Sequence, residues 1–200
     1  MALSLRKGPE RGAGLVGRAL RDLSGPADPD ALLGGASIDL SEPLPLYRLA
    51  LDQITDRDDL VQAEQVGWRY LIESRGQAAF ADLRETADEA LRFASLSQNE
   101  NAGRLIEAAH LCEVQAAGRA EIYEPRILEI PSLNTSALWL LDGDGRSVFI
   151  PFIDMKRLKG GPVQVEDDFL DDVVRRAKQA RALHGEPSPP EPTPQWRMGG

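Results

Sequence analysis

The four residues Asp142, Gly143, Asp144 and Gly145 stand between two short apolar runs, Leu138 to Leu141 and Val148 to Ile150. Asp-Gly pairs reach positive φ at little cost, so this arrangement predicts a tight hairpin. Neither run alternates apolar with polar residues, and both faces of the hairpin should therefore be covered. Helices would cover one face, and a partner subunit is a candidate for the other. A third run rich in branched residues, Ile122 to Ile130, precedes Ala137 to Leu141 and Val148 to Ile153. The three together predict an antiparallel sheet.

Upstream, apolar spacing suggests helices. Residues Leu46 to Ile54 can form a short one, and Thr55 with Asp58 resembles a capping box opening a longer one to about Glu73, with Val61, Trp68, Leu71 and Ile72 as its apolar stripe. From about Gln77 to Ala94, residues Phe80, Leu83, Ala87, Leu91 and Ala94 recur at three- and four-residue steps. Ser97 with Glu100 is a second capping-box candidate, before a stripe of Leu105, Ile106, Ala109, Cys112 and Ala116 that ends near Gly118. A last helix is expected from about Asp167 to Leu183, with Phe169, Leu170, Val173, Val174, Ala177 and Ala180 on one side. Its acids gather at the start and its arginines and lysine towards the end, complementing the helix dipole. The expected fold is α+β: about four N-terminal helices packed with a small three-stranded antiparallel sheet and a C-terminal helix. That order of elements is too common to name a family.

At 200 residues the chain suits one domain with tails. Residues 1–36 are expected to be a disordered arm, 37–184 a single globular domain and 185–200 a disordered Pro-rich tail. Within the arm, Leu15 to Leu23 has helical apolar spacing but is too short to be stable alone, and whether it forms a helix is left open. Apolar residues at 42% and charged residues at 28% match a folded protein. No apolar run approaches the roughly 20 residues that span a bilayer. Residues 1–23 hold no apolar block of secretory length, and Cys112 stands alone, so a soluble, cytoplasmic protein with no membrane contact is expected. The net charge of −9 disfavours nucleic acid and suits a basic protein partner, although solubility alone accounts for it too.

Residues with chemical potential are scattered. Asp142 and Asp144 resemble the start of a calcium loop, but Ser147 and Val148 stand where further ligands are needed, and no Glu closes the loop at Ile153. His110 and Cys112 are two apart, which on a helix points them away from one another, so a core cysteine and a surface histidine are expected. His184 falls at the tail. Asp167, Asp168, Asp171 and Asp172 place acids on neighbouring turns, as do Glu85, Asp88 and Glu89; solvated helix faces account for both sets. Ser132, Asn134, Thr135 and Ser136 read as turn chemistry. Gly12, Gly14 and Gly17 have dinucleotide-fingerprint spacing without a preceding strand, and Pro189 to Pro192 has the spacing of a polyproline ligand.

No nucleophile, base and orienting group assemble, so neither a catalytic site nor a cofactor or metal is expected. The expected function is a non-enzymatic interaction module, an accessory, adaptor or inhibitor-like subunit. It would bind another protein, or a second copy as a homodimer, through the hairpin and last helix. Trp139, Phe149, Phe152 and Phe169 are its candidate partner-binding anchors, with core packing as the competing role. The alternative is a small metal-dependent hydrolase using Asp142, Asp144 or the acids of the last helix.

Overall fold

The computed structural model describes residues 3–24, 39–74, 77–86, 90–116, 121–154 and 161–185. Residues 25–36 of the expected arm, and the Pro-rich tail from 186 onward, lie outside the described residues. In chain order the elements are α1 (Gly12–Ser24), β1 (Asp39–Leu40), β2 (Leu44–Arg48), β3 (Glu64–Ser74), β4 (Gln77–Glu85), β5 (Leu91–Ser97) and α2 (Glu100–Ala116), followed by β6 (Tyr123–Ile130), β7 (Thr135–Asp142), β8 (Ser147–Asp154), β9 (Gln164–Val165) and α3 (Glu166–Gly185).

All the strands belong to one sheet in the order β5-β4-β3-β2-β6-β7-β8-β9, with β1 paired to the far end of β3. Neighbours are antiparallel except β2 and β6, which pair in parallel with Leu46 beside Ile127. The two sides of that seam follow the same plan. Strands β2 to β5 form a meander followed by α2, and β6 to β9 form a meander followed by α3.

The class is α+β, but the expectation of N-terminal helices on a small three-stranded sheet is overturned. The residues expected to form helices over 55–73 and 77–94 are instead the long strands β3, β4 and β5. The capping signal at residue 55 is real yet local: Asp56 caps only the 3-10 turn Arg57–Gln62, where Asp59 accepts hydrogen bonds from the Thr55 and Asp56 amides at 2.6 and 2.8 Å. Beyond it, Trp68, Tyr70 and Ile72 alternate with Arg69 and Leu71 across β3, a two-residue period in aromatic and branched residues. Because β3 and β4 are covered on both faces, apolar residues fall on consecutive positions and imitate a helical stripe. Leu46 to Ile54 likewise divides into β2 and a 3-10 turn at Leu51–Gln53 rather than a helix.

Two layers of helix bury the sheet. On one face α2 sets Ala102, Leu105, Ala108 and Cys112 against Leu44, Leu46, Phe80, Ile127, Leu138, Leu140, Ile150 and Phe152. On the other, α3 packs Phe169, Leu170, Val173 and Ala177 onto Leu128, Ala137, Trp139 and Phe149. The stretch left open by the sequence is α1, whose Val16 and Leu20 cover Tyr70, Ile72, Ala79, Ala81 and Leu83. Tertiary contact thus supplies what a helix this short lacks in isolation.

The 143–145 turn links β7 and β8 as expected. Gly145 has a φ of 84°, a conformation side chains resist, and the Asp142 carboxylate accepts the Asp144 and Arg146 amides at 2.9 and 2.8 Å. Gly67 in β3 meets a different constraint: a Cβ there would lie 2.0 Å from the Leu83 carbonyl oxygen of β4.

Two stability outcomes follow from this packing. Phe149→Ala, which removes a ring stacked 4.1 Å from Phe169, should cost about 3–5 kcal/mol in urea unfolding. Gly67→Val should destabilise by more than about 2 kcal/mol, because only a shift of β4 could accommodate the side chain.

Candidate functional site

The four aromatic anchors read from the sequence all lie inside the protein. Trp139 is 6% exposed, Phe149 0%, Phe152 1% and Phe169 3%. Trp139, Phe149 and Phe169 form a run of rings with centroids 6.1 and 4.1 Å apart, while Phe152 packs under α2 on the opposite face. The hairpin thus packs these rings against α2 and α3 of its own chain, while Trp139, Leu141 and Ser147 also line a hollow of about 450 Å³.

Of the acids of the hydrolase alternative, Asp142, Asp167, Asp171 and Asp172 have partners. Asp142 is tied up in the hairpin turn. Asp167 and Asp171 pair with Arg57, and Asp172 pairs with Arg175 and Arg176. Asp168 stands in a cleft of about 380 Å³ with Asp154 and Asp172, where the buried Arg176 pairs with Asp154 at 3.2 Å. Among the described residues, no group of three His, Cys, Asp or Glu side chains could hold a metal ion. Asp88 and Glu89 lie outside the described residues. Thr135 and Ser136 are buried in β7, with the Thr135 hydroxyl donating to the Leu133 carbonyl at 3.1 Å. Gly12, Gly14 and Gly17 sit within α1.

A different surface has the shape of a binding site. Where α2 passes Leu44 of β2 and Leu71 of β3, an apolar groove of about 230 Å³ opens between Leu3, Leu5, Leu44, Leu71, Ala109 and Cys112. It adjoins a second hollow of about 380 Å³ that shares Ser41, Leu71, Ala109 and Glu113 with it and adds Ile106, His110 and Glu73. The first wall exists because the N-terminal segment runs beside β6, with the Ser4 amide donating to the Tyr123 carbonyl at 2.8 Å. The opposite wall is the side of α2 that carries Ile106, Ala109 and Glu113 at helical spacing. The rim is acidic: Glu42, Glu73 and Glu113 line the two hollows, and among the described residues neither is lined by a lysine or arginine.

Cys112 and His110 fall as their spacing requires, Cys112 buried in the groove floor and His110 exposed at its edge. Burial, and secondarily the Glu113 charge, push the Cys112 thiol up to about 12. A thiol so protonated at neutral pH is a poor nucleophile.

Sequence reasoning missed this groove because its walls come from the N-terminus, β1 to β3 and α2, which are far apart in the chain. It also missed a cluster of charged residues at the other end of the α2 face: Arg48, Arg69 and Arg84 with Asp82 and Glu129. The signal was present as charges at alternate positions in β3 and β4, visible once those segments are read as strands. Arg69 is 3% exposed in its side chain and pairs with Asp82 through two bonds of 2.7 and 2.8 Å and with Glu129 at 2.7 Å. Burial pulls its pKa down, but the two carboxylates outweigh that and raise it above its ordinary value.

Compared with known proteins, the chain matches no family model, no curated protein sequence and no solved structure. No helix among the described residues is long and apolar enough to cross a membrane.

With its thiol held protonated, Cys112 should react with iodoacetamide at pH 7.5 at least about a hundredfold more slowly in the native protein than in urea, as followed by mass spectrometry.

Proposed function

We propose that this chain is a non-enzymatic interaction module, and that it holds an apolar, basic segment of another protein in the groove between α2, the N-terminal segment and strands β2 and β3. The observation that carries this reading is the pairing of an apolar floor with a rim that carries Glu42, Glu73 and Glu113. Apolar contact area supplies affinity in such a groove, and the charged rim selects partners of opposite sign and speeds their arrival. The chain's net charge of −9 favours the same partners at longer range. The hairpin and the last helix, by contrast, pack most of their apolar side chains within the chain.

A peptide with leucines at helical spacing and lysines between them is the simplest probe. Fluorescence polarisation should show saturable binding that weakens as salt rises from about 50 to 300 mM. Reversing Glu42, Glu73 and Glu113 together to lysine should weaken it at least about tenfold while the circular dichroism spectrum is retained. Binding that ignores the triple reversal would exclude this groove, and equal binding of an acidic peptide of the same apolar pattern would exclude the charge selection.

A further inference from the structure

The charge cluster at the far end of the α2 face is incompletely neutralised. Three guanidinium groups, Arg48, Arg69 and Arg84, share two carboxylates. Asp82 is engaged by Arg69 through both of its oxygens, and the Ser95 hydroxyl donates to it as well at 3.3 Å. Glu129 gives one oxygen to Arg69 at 2.7 Å. The other oxygen is left to serve both Arg48, at 3.4 Å, and Arg84, at 4.0 Å. Those last two separations are long for charge-assisted bonds, which usually close to about 2.7–2.9 Å. One positive charge is in excess among these five described side chains; Arg92, the cross-strand neighbour of Arg84, has an interaction of its own. Glu64, the cross-strand neighbour of Arg48, is exposed and forms no ion pair with it among the described residues.

Two donors of the cluster are also without a partner. Arg69 Nη1 and Arg48 Nε are shut away from solvent and have no hydrogen-bond partner. Leaving a buried donor on a charged group unsatisfied is costly, and native proteins rarely do so without water or a ligand nearby. Arg69 is held in place by its carboxylates and by the Phe80 ring 3.9 Å beneath it, so it has no freedom to seek another partner. Arg48 and Arg84 differ, because their side chains are 39% and 29% exposed and can be reached from solvent.

We propose that the cluster is an anion site, in which a ligand carboxylate bridges Arg48 and Arg84 on the exposed side of Glu129. A monoanion neutralises the one excess charge. A phosphate dianion would instead set surplus negative charge against Glu129 and Asp82. The planar fork of a guanidinium meets a carboxylate through two parallel bonds, so two neighbouring arginines can hold one carboxylate by both of its oxygens. The site stands apart from the groove under α2 and does not depend on it.

Acetate is the probe, added to the full chain at matched ionic strength against sodium chloride. The arginine Nε–H resonances are followed by NMR, with the melting temperature as a second readout. Saturable shifts confined to Arg48, Arg69 and Arg84, with a melting temperature that rises with acetate but not chloride, are expected. Arg48→Gln and Arg84→Gln should each weaken acetate binding by about tenfold or more. Small linear shifts that acetate and chloride produce equally would overturn the site. Tighter binding of inorganic phosphate than of acetate would overturn its assignment to a monoanionic carboxylate.

Discussion

The parallel pairing of β2 with β6 joins two antiparallel meanders into one sheet, and Arg69 is the side chain that locks the seam. It stands on β3, is fixed to Asp82 on β4, and reaches across β2 to Glu129 on β6. A charge this deeply buried is tolerable only where carboxylates meet it at close range, and both of these do. Removing either acid would leave the guanidinium facing apolar neighbours such as Phe80. The register that places Leu46 beside Ile127 and Arg48 beside Glu129 is therefore enforced by charge as well as by backbone hydrogen bonds.

That seam determines what the helices can do. With both meanders in one sheet, each face is wider than one helix covers. The face of Leu44, Phe80, Leu138 and Phe152 takes α2. The opposite face takes α3 over β6 to β8, while α1 covers β3 and β4. Because α2 ends its cover at Leu46 and Phe80, the residues one alternate position further along, Arg48 and Asp82, are free to be charged. The groove arises at the other margin of the same helix, where the N-terminal Leu3 and Leu5 stand off from Leu71 and Ala109. Both candidate sites are thus consequences of one helix being narrower than the sheet it covers.

The second half of the chain was legible in the sequence and the first half was not, for a physical reason. Around β7 and β8 the turn residues are explicit, and the runs they separate are rich in branched and aromatic side chains, so the hairpin declares itself. In α3 the apolar spacing and the ordered charges agree. In β3 and β4, by contrast, both faces are buried and Ala78, Ala79 and Ala81 carry helical propensity, so Phe80, Leu83 and Leu71 imitate a stripe. The capping residues at Thr55 to Asp59 reinforced the wrong period while serving only a 3-10 turn. That α2 and α3 of the same chain bury Trp139, Phe149, Phe152 and Phe169 could not be read from spacing alone. The groove was invisible for a simpler reason: Glu42, Glu73 and Glu113 become neighbours only when the sheet is assembled.

Charge then separates the two sites. The groove offers apolar surface and an acidic rim, while the arginine cluster is the one place among the described residues where three guanidinium groups share two carboxylates. A basic segment and an anionic group can therefore address opposite ends of the α2 face without competing. The most direct measurement is paramagnetic relaxation enhancement with a spin-labelled Leu/Lys peptide on methyl-labelled protein. Broadening centred on Leu3, Leu5, Leu44, Leu71 and Ile106 is the predicted result. Broadening centred on Leu141 and Val148 at the hairpin, or none above that from free spin label, would contradict it.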